Sequence, residues 1–124
     1  KGIRHILTVN GDTYNTADGT CIRDYIHVQD LASAHVKALN YLQTSNVSNI
    51  AFNVGTGKGL SVLNIVDEFK KVNKVEVKYI IGPKRSGDIE QIYSDNTYIK
   101  NELKWEAKKS LSEALASAYN WNKK

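Results

Sequence analysis

Along this chain two hydrophobic periods take turns, and each switch marks a new element. His5 to Val9 (HILTV) predicts a short strand, and Ile22 to Val28 (IRDYIHV) alternates well enough to predict another. Between them, Gly11 to Thr20 (GDTYNTADGT) is rich in turn formers. From Asp30 to Thr44 the period becomes helical. Leu31, Ala34, Ala38, Tyr41 and Leu42 share one face, and Asp30 is the expected N-cap. Ile50 to Val54 predicts a strand and Ser61 to Val72 a helix, with Val62, Ile65, Val66 and Phe69 on its buried side. Val75 to Ile81 (VEVKYII) predicts a further strand, Gly82 to Asp88 (GPKRSGD) a loop, and Asp95 to Leu103 a short helix. Ser110 opens the last helix, with Glu113 at capping-box spacing and Leu111, Ala114, Leu115 and Ala118 as its stripe. No repeat, low-complexity segment or linker interrupts the pattern. Strands and helices mix without strict alternation, so the class is α/β with a small mixed sheet, or α+β if the strands pair antiparallel.

The stretch FNVGTGKGLSVLNIVDEF, Phe52 to Phe69, places a Gly-rich turn between a predicted strand and a predicted helix. A dinucleotide fingerprint needs glycines at relative positions one, three and six. Gly55 and Gly57 fit, but Leu60 stands at the sixth. A phosphate loop needs Gly-Lys-Ser/Thr, and here Lys58 is followed by Gly59. Both motifs fail. The expectation is a tight turn whose glycines take positive φ, feeding a helix capped by Ser61.

The chain has 124 residues, enough for one small domain. Its 41% hydrophobic and 24% charged content is that of an ordinary globular protein. No apolar run approaches the ~18 residues that crossing a membrane requires, and no signal peptide is visible. The single cysteine, Cys21, cannot form an internal disulfide, so the expected compartment is reducing and cytoplasmic. There is no methionine, which suits a reading in which Lys1 is a cut point within something longer. Net charge is +4, but the basic residues are dispersed rather than gathered into a stripe. A solvated surface is expected, not a nucleic-acid interface.

Candidate chemistry concentrates in two segments. Asp18 to His35 (DGTCIRDYIHVQDLASAH) packs Arg23, Asp24, Tyr25 and His27 into a strand-like run. Gly82 to Asp88 puts Lys84, Arg85 and Asp88 on a Gly-flanked loop after a strand. Two arginines converging on one spot would clamp a diphosphate, and a nearby carboxylate would accept a sugar hydroxyl. Spacing alone equally suits a surface loop and a salt-bridged strand. His5, His27 and His35 lack ligand-like spacing, so no metal is expected. Tyr119 and Lys123 match a Tyr-x-x-x-Lys spacing at the chain end, where a two-residue match carries no weight.

The run DGTCIRDYIHVQDLASAHVKAL, followed by FNVGTGKGLSV and then KRSGD, YSD and LKW, resembles the C-terminal part of the UDP-glucose 4-epimerases, members of the extended short-chain dehydrogenase/reductase family. The resemblance covers essentially the whole chain. Nucleotide-sugar dehydratases of that family look similar but usually differ around the Arg-Asp pair; a related dehydratase or decarboxylase acting on another nucleotide sugar is one alternative. A stand-alone UDP-binding module using the same clamp is the other alternative.

The resemblance implies a Rossmann-type parent that binds NAD in an N-terminal domain. NAD oxidises the sugar at C4, the keto intermediate turns over, and hydride returns to the other face. A Tyr-x-x-x-Lys tyrosine, helped by Ser or Thr, serves as base there. The C-terminal part holds UDP. On this resemblance Arg23 and Arg85 bind the diphosphate, and Asp88 hydrogen-bonds the ribose. Thr8 and Asn10 lie on the strand that meets uracil, although the family often has an aromatic residue where Asn10 stands. Ile92 takes the position gating the sugar pocket, and its size is intermediate between residues that exclude and residues that admit N-acetylated sugars. The chain begins after the family's fingerprint and catalytic residues. It is therefore expected to supply substrate-binding residues only and to be inactive alone. Its expected partners are a UDP-sugar and the N-terminal part of the same protein, in a homodimeric parent.

Overall fold

The computed structural model describes residues 5–123. Eight elements follow in order: β1 (Leu7–Asn10), β2 (Ile22–Asp24), α1 (Val28–Thr44), β3 (Gly59–Ser61), α2 (Val62–Asn73), β4 (Tyr79–Gly82), α3 (Thr97–Leu103) and α4 (Leu111–Trp121). Both kinds of strand pairing occur. β1 and β4 are parallel, from Leu7 opposite Tyr79 to Asn10 opposite Gly82. β2 and β3 are antiparallel, with Arg23 opposite Leu60. The expected small mixed sheet is thus two separate two-stranded ladders. No helix among the described residues is long and apolar enough to cross a membrane.

The helices carry their own start signals. Ser61 accepts from Asn64 N while Asn64 Oδ1 accepts from Ser61 N, a complete capping box at the start of α2. Ser110 and Glu113 close the expected box on α4. The predicted N-cap of α1 was Asp30, but the helix begins earlier. His27 Nδ1 accepts from Gln29 N at 2.9 Å and ends the second predicted strand at Asp24. Asp30 sits in the first turn instead, buried, and accepts from Lys108 N and Lys109 N at 3.0 and 2.8 Å. It ties α1 to the approach to α4.

The main core joins Ala34 of α1 to Ile99 and Leu103 of α3 and to Trp105. Ala38, Tyr41, Phe52 and Val54 pack around it. Leu42 lies outside the core and is 41% exposed. A second contact packs α2 on α4, where Phe69 meets Tyr119 edge-on at 5.5 Å. Ala118 of the expected α4 stripe faces solvent.

Strand bounds depart from the sequence pattern wherever a partner is short. β4 begins at Tyr79 rather than Val75, because β1 offers only four residues to pair with. The expected strand at Ile50 to Val54 joins no ladder among the described residues. Its side chains hold it instead: Phe52 stacks on Tyr98 at 5.3 Å and meets Tyr41 edge-on. α3 starts at Thr97 rather than Asp95, since Ser94 and Asn96 are engaged elsewhere, and Asp95 accepts from Thr97 N. β1 is shifted to Leu7–Asn10 from the expected His5 to Val9.

That engagement centres on Asp24. Its carboxylate accepts from Thr56 N (2.8 Å), Thr56 Oγ1 (2.6 Å) and Gly57 N (3.0 Å), and from Ser94 N (3.2 Å) and Ser94 Oγ (2.9 Å). The glycine turn therefore wraps a carboxylate of its own chain. Only Gly57 of its three glycines has positive φ, at 73°, which corrects the expectation for the other two. Gly55 is glycine for a different reason. A Cβ there would lie 2.2 Å from Ser94 Oγ and 2.3 Å from Asp24 Oδ2. Nearby, Asp18 accepts from Thr20 N and Oγ1 and from Ser61 Oγ, fastening the preceding turn to the start of α2.

Burial raises the pKa of Asp24, but the hydrogen bonds from Thr56 and Ser94 outweigh it and hold the carboxyl below its ordinary value. A depressed folded pKa gives stability that is present above the unfolded value and lost as pH falls. Acid titration followed by circular dichroism should show stability declining as pH drops below about 3.9, the ordinary Asp value. Asp24→Asn should flatten part of that decline. Asp24→Ala should cost about 2 kcal/mol or more, because three backbone N–H groups, two of them half-buried, lose their acceptor. Independently, Gly55→Ala should lower stability in denaturant melts by about 2 kcal/mol or more, since neither neighbour can withdraw without giving up a bond.

Candidate functional site

Two parallel strands send their chains out at the same end. There Asn10 and Gly82 stand opposite each other, and Gly11 N donates to Gly82 O at 2.9 Å. The carboxyl ends of parallel strands are where α/β folds place their ligands, because the loops that follow converge there. From this end residues 83–92 fold back over residues 11–22. Lys84 Nζ donates to Thr13 O at 2.8 Å and lies 4.2 Å above the Tyr14 ring. Farther on, Asn15 N donates to Glu90 Oε2, Ile22 N to Glu90 O, and Ile92 N to Ile22 O. The loop is stitched down at both ends.

Arg85 and Asp88 occupy the span between the stitches. Arg85 Nε meets Asp88 Oδ2 at 3.0 Å, and Asp88 N donates back to Arg85 O. The pairing uses Nε of the guanidinium, and Arg85 remains 67% exposed at its side chain. Its two terminal nitrogens can thus address an anion while Nε stays on the carboxylate. Asp88 is far less exposed, at 18%.

The six residues singled out from the sequence fall into three places. Arg85 and Asp88 form one ion pair. Thr8 and Asn10 lie on β1, opposite Ile80 and Gly82. Thr8 crowds β4 closely enough that a Cβ on Gly82 would come within 2.7 Å of its methyl. Arg23 and Ile92 meet at Ile22: Arg23 Nη1 and Ile92 N both donate to Ile22 O. Ile92 is 53% exposed. The loop carries the second place to the third, but among the described residues no hydrogen bond or ion pair joins Arg23 to Arg85 or Asp88.

Two residues escaped the sequence reading. Asp24 was noted only as a neighbour of Arg23, yet it organises the turn beside the site. Tyr14 is buried beneath Lys84. It is the one large side chain in an otherwise small and polar turn, GDTYNTADGT, and that was the available signal. A concavity of about 750 Å³ lies elsewhere, between α1 and residues 100–108, with Lys37, Trp105 and Lys108 in its wall. None of the six lines it, because their site is an open rim on the sheet end. No group of three or more His, Cys, Asp or Glu among the described residues could hold a metal. Thr56 N and Gly57 N of the glycine turn are given to Asp24 rather than turned toward a ligand.

The chain is similar to known proteins over nearly its whole length. UDP-glucose 4-epimerase 4 of Oryza sativa is 46% identical over 123 residues, spanning 99% of this chain and 33% of that protein. UDP-arabinose 4-epimerase 1 of Arabidopsis thaliana is 48% identical over 124 residues, 99% of this chain and 29% of that protein. Among solved structures, a UDP-glucose 4-epimerase from Stenotrophomonas maltophila, described with bound NAD and formylated UDP-arabinopyranose, superposes with a TM-score of 0.94 at 41% identity over 98% of this chain and 36% of its own. The UDP-Glc/GlcNAc 4-epimerase of Campylobacter jejuni gives 0.86 at 46% identity, over 98% and 37%. The chain therefore spans about a third of the length of these relatives. The model of the family described as GDP-mannose 4,6 dehydratase matches residues 1–118, and to that family the chain belongs.

Proposed function

We propose that this chain is the UDP-holding part of an NAD-dependent UDP-sugar 4-epimerase that interconverts UDP-galactose and UDP-glucose. The observation that carries the proposal is the Arg85–Asp88 pair, presented on a stitched loop at the carboxyl ends of two parallel strands. In this reading Arg85 and Arg23 take the diphosphate, Asp88 takes a ribose hydroxyl, Thr8 and Asn10 face uracil, and Ile92 borders the sugar. Rigid anchoring of the nucleotide lets the sugar be presented to the reacting groups in a fixed pose. NAD, named in the description of the Stenotrophomonas relative, supplies oxidation and reduction at the sugar C4. It belongs to the N-terminal portion of a homodimeric, cytoplasmic enzyme. The catalytic residues belong to that portion too.

A second reading comes from the family's own name, which is that of a dehydratase acting on a GDP-sugar. The relatives at 46 and 48% identity are UDP-sugar 4-epimerases, which favours the first reading. Calorimetric titration of the chain separates the two. UDP should bind and GDP should bind far more weakly, while UDP-galactose should not turn over. Arg85→Ala and Arg23→Ala should each weaken UDP by about tenfold or more, the loss of a charge-assisted hydrogen bond. Equal binding of GDP, or an unaltered Arg85→Ala, would sink the proposal.

The apolar surface supports the missing partner. Val28 and Leu39 on the outer side of α1 are 70 and 60% exposed, and Ile80 on β4 is 51% exposed. Such patches mark an interaction surface. In the proposed enzyme the N-terminal portion covers them. Alone at high concentration, the chain should self-associate, and light scattering should give a mass above the 13.9 kDa of the monomer. A monodisperse monomer would count against that assignment.

A further inference from the structure

Lys84 stands next to Arg85 in sequence, and a lysine beside an arginine on a nucleotide-facing loop reads first as a second phosphate ligand. The geometry turns it the other way. Lys84 Nζ donates to Thr13 O at 2.8 Å, across 71 residues of sequence, and lies 4.2 Å from the centroid of the Tyr14 ring. Both partners belong to the turn beneath the loop. The Tyr14 ring is buried and so offers a fixed platform. Gly11, at φ 83°, leaves room for the approach: a Cβ there would lie 2.6 Å from Lys84 Cγ and 2.9 Å from Tyr14 Cε2. The stem of Lys84 crosses bare backbone to reach its partners.

What this tie controls is the loop itself. Gly82 is the last residue paired in the β1–β4 ladder. Beyond it, the Arg85–Asp88 ion pair and the bond from Asp88 N to Arg85 O are internal to the loop. Among the described residues no hydrogen bond or ion pair joins residues 85–89 to anything outside that span. Gly87, at φ 84°, has open space where a Cβ would stand, so the tip is not packed down either. The loop is held by Lys84 at its start and by Glu90 at its end, through Asn15 N and Ile22 N. Only Lys84 adjoins Arg85. We propose that Lys84 is a positioning residue for Arg85. Its ammonium is spent on Thr13 O and the Tyr14 ring, and so holds the neighbouring guanidinium over the rim before the nucleotide arrives. Lys84 does not touch the diphosphate. The inference rests on the UDP-holding reading above and adds a residue to it. The gain is preorganisation: a loop that is competent only part of the time weakens the apparent affinity by that fraction.

The test is a double-mutant cycle in the 124-residue chain, read as UDP affinity by calorimetry. Lys84→Met keeps the stem and removes the charge and the donors. It should weaken UDP about tenfold, the combined effect of a charged hydrogen bond and a cation over an aromatic face. Lys84→Arg should stay within about twofold of the unsubstituted chain, because a guanidinium donates to the same carbonyl and stacks on the same ring. Lys84→Met should cost nothing further once Arg85→Ala is present, since there is then no guanidinium left to position. A direct phosphate contact, a general loss of positive charge or a packing defect would each add its own loss in the Arg85→Ala background. Such an added loss would overturn the inference. So would unchanged UDP affinity in Lys84→Met, or a loss in Lys84→Arg as large as in Lys84→Met. Failure of the unsubstituted chain to bind UDP, or full affinity in Arg85→Ala alone, would instead overturn the underlying reading, and this inference with it.

Discussion

A single carboxylate holds together parts of this fold that its strands could not. β2 and β3 have three residues each, too few for a ladder to be stable by itself. Asp24, at the end of β2, gathers donors from Thr56, Gly57 and Ser94, which lie 32 to 70 residues away in sequence. A half-buried carboxylate keeps its charge only when it is well supplied with donors, and here the supply comes from the segments that must be brought in. The Gly-rich turn, the start of β3 and the approach to α3 are therefore positioned by one group.

The same group orients the site. Successive side chains of a strand point to opposite faces. With Asp24 committed to the glycine turn, its neighbour Arg23 is directed to the other side of β2, where Ile22 O also receives Ile92 N from the returning loop. Asp18 acts likewise one turn earlier, tying Thr20 to Ser61 at the start of α2. The rim that presents Arg85 and Asp88 is thus bordered by segments held through half-buried carboxylates and by the parallel β1–β4 ladder. The candidate rim is an open surface: its residues are fixed by tertiary ties beneath them, and Arg85 and Ile92 face outward.

Relatives superpose over nearly the whole of this chain yet extend to about three times its length. The apolar faces of α1 and β4 remain uncovered. A glycine turn that resembles a nucleotide loop in sequence serves here as a clasp on Asp24.

Helix caps were legible because they are local. Ser61, Ser110 and Glu113 sit within one turn of the groups they satisfy, and no distant residue changes that geometry. Most of each helical stripe was legible for the same reason, Leu42 and Ala118 excepted, as was the α/β class. The resemblance was carried by the Arg-Asp run and the KRSGD loop, which the linear order shows directly. Strand extent was not legible, because a strand exists only as far as its partner does: Val75 to Lys78 and Ile50 to Val54 have strand-like side chains and no ladder. Asp30 read as a cap, although its acceptors' natural partners lay nearly eighty residues on, at Lys108 and Lys109. The role of Asp24, the reason Gly55 must be glycine, and the burial of Tyr14 beneath Lys84 all depend on contacts between segments far apart in the chain. Local chemistry fixed which elements form. Long-range polar contacts, which leave no periodic trace, settled how those elements build a site.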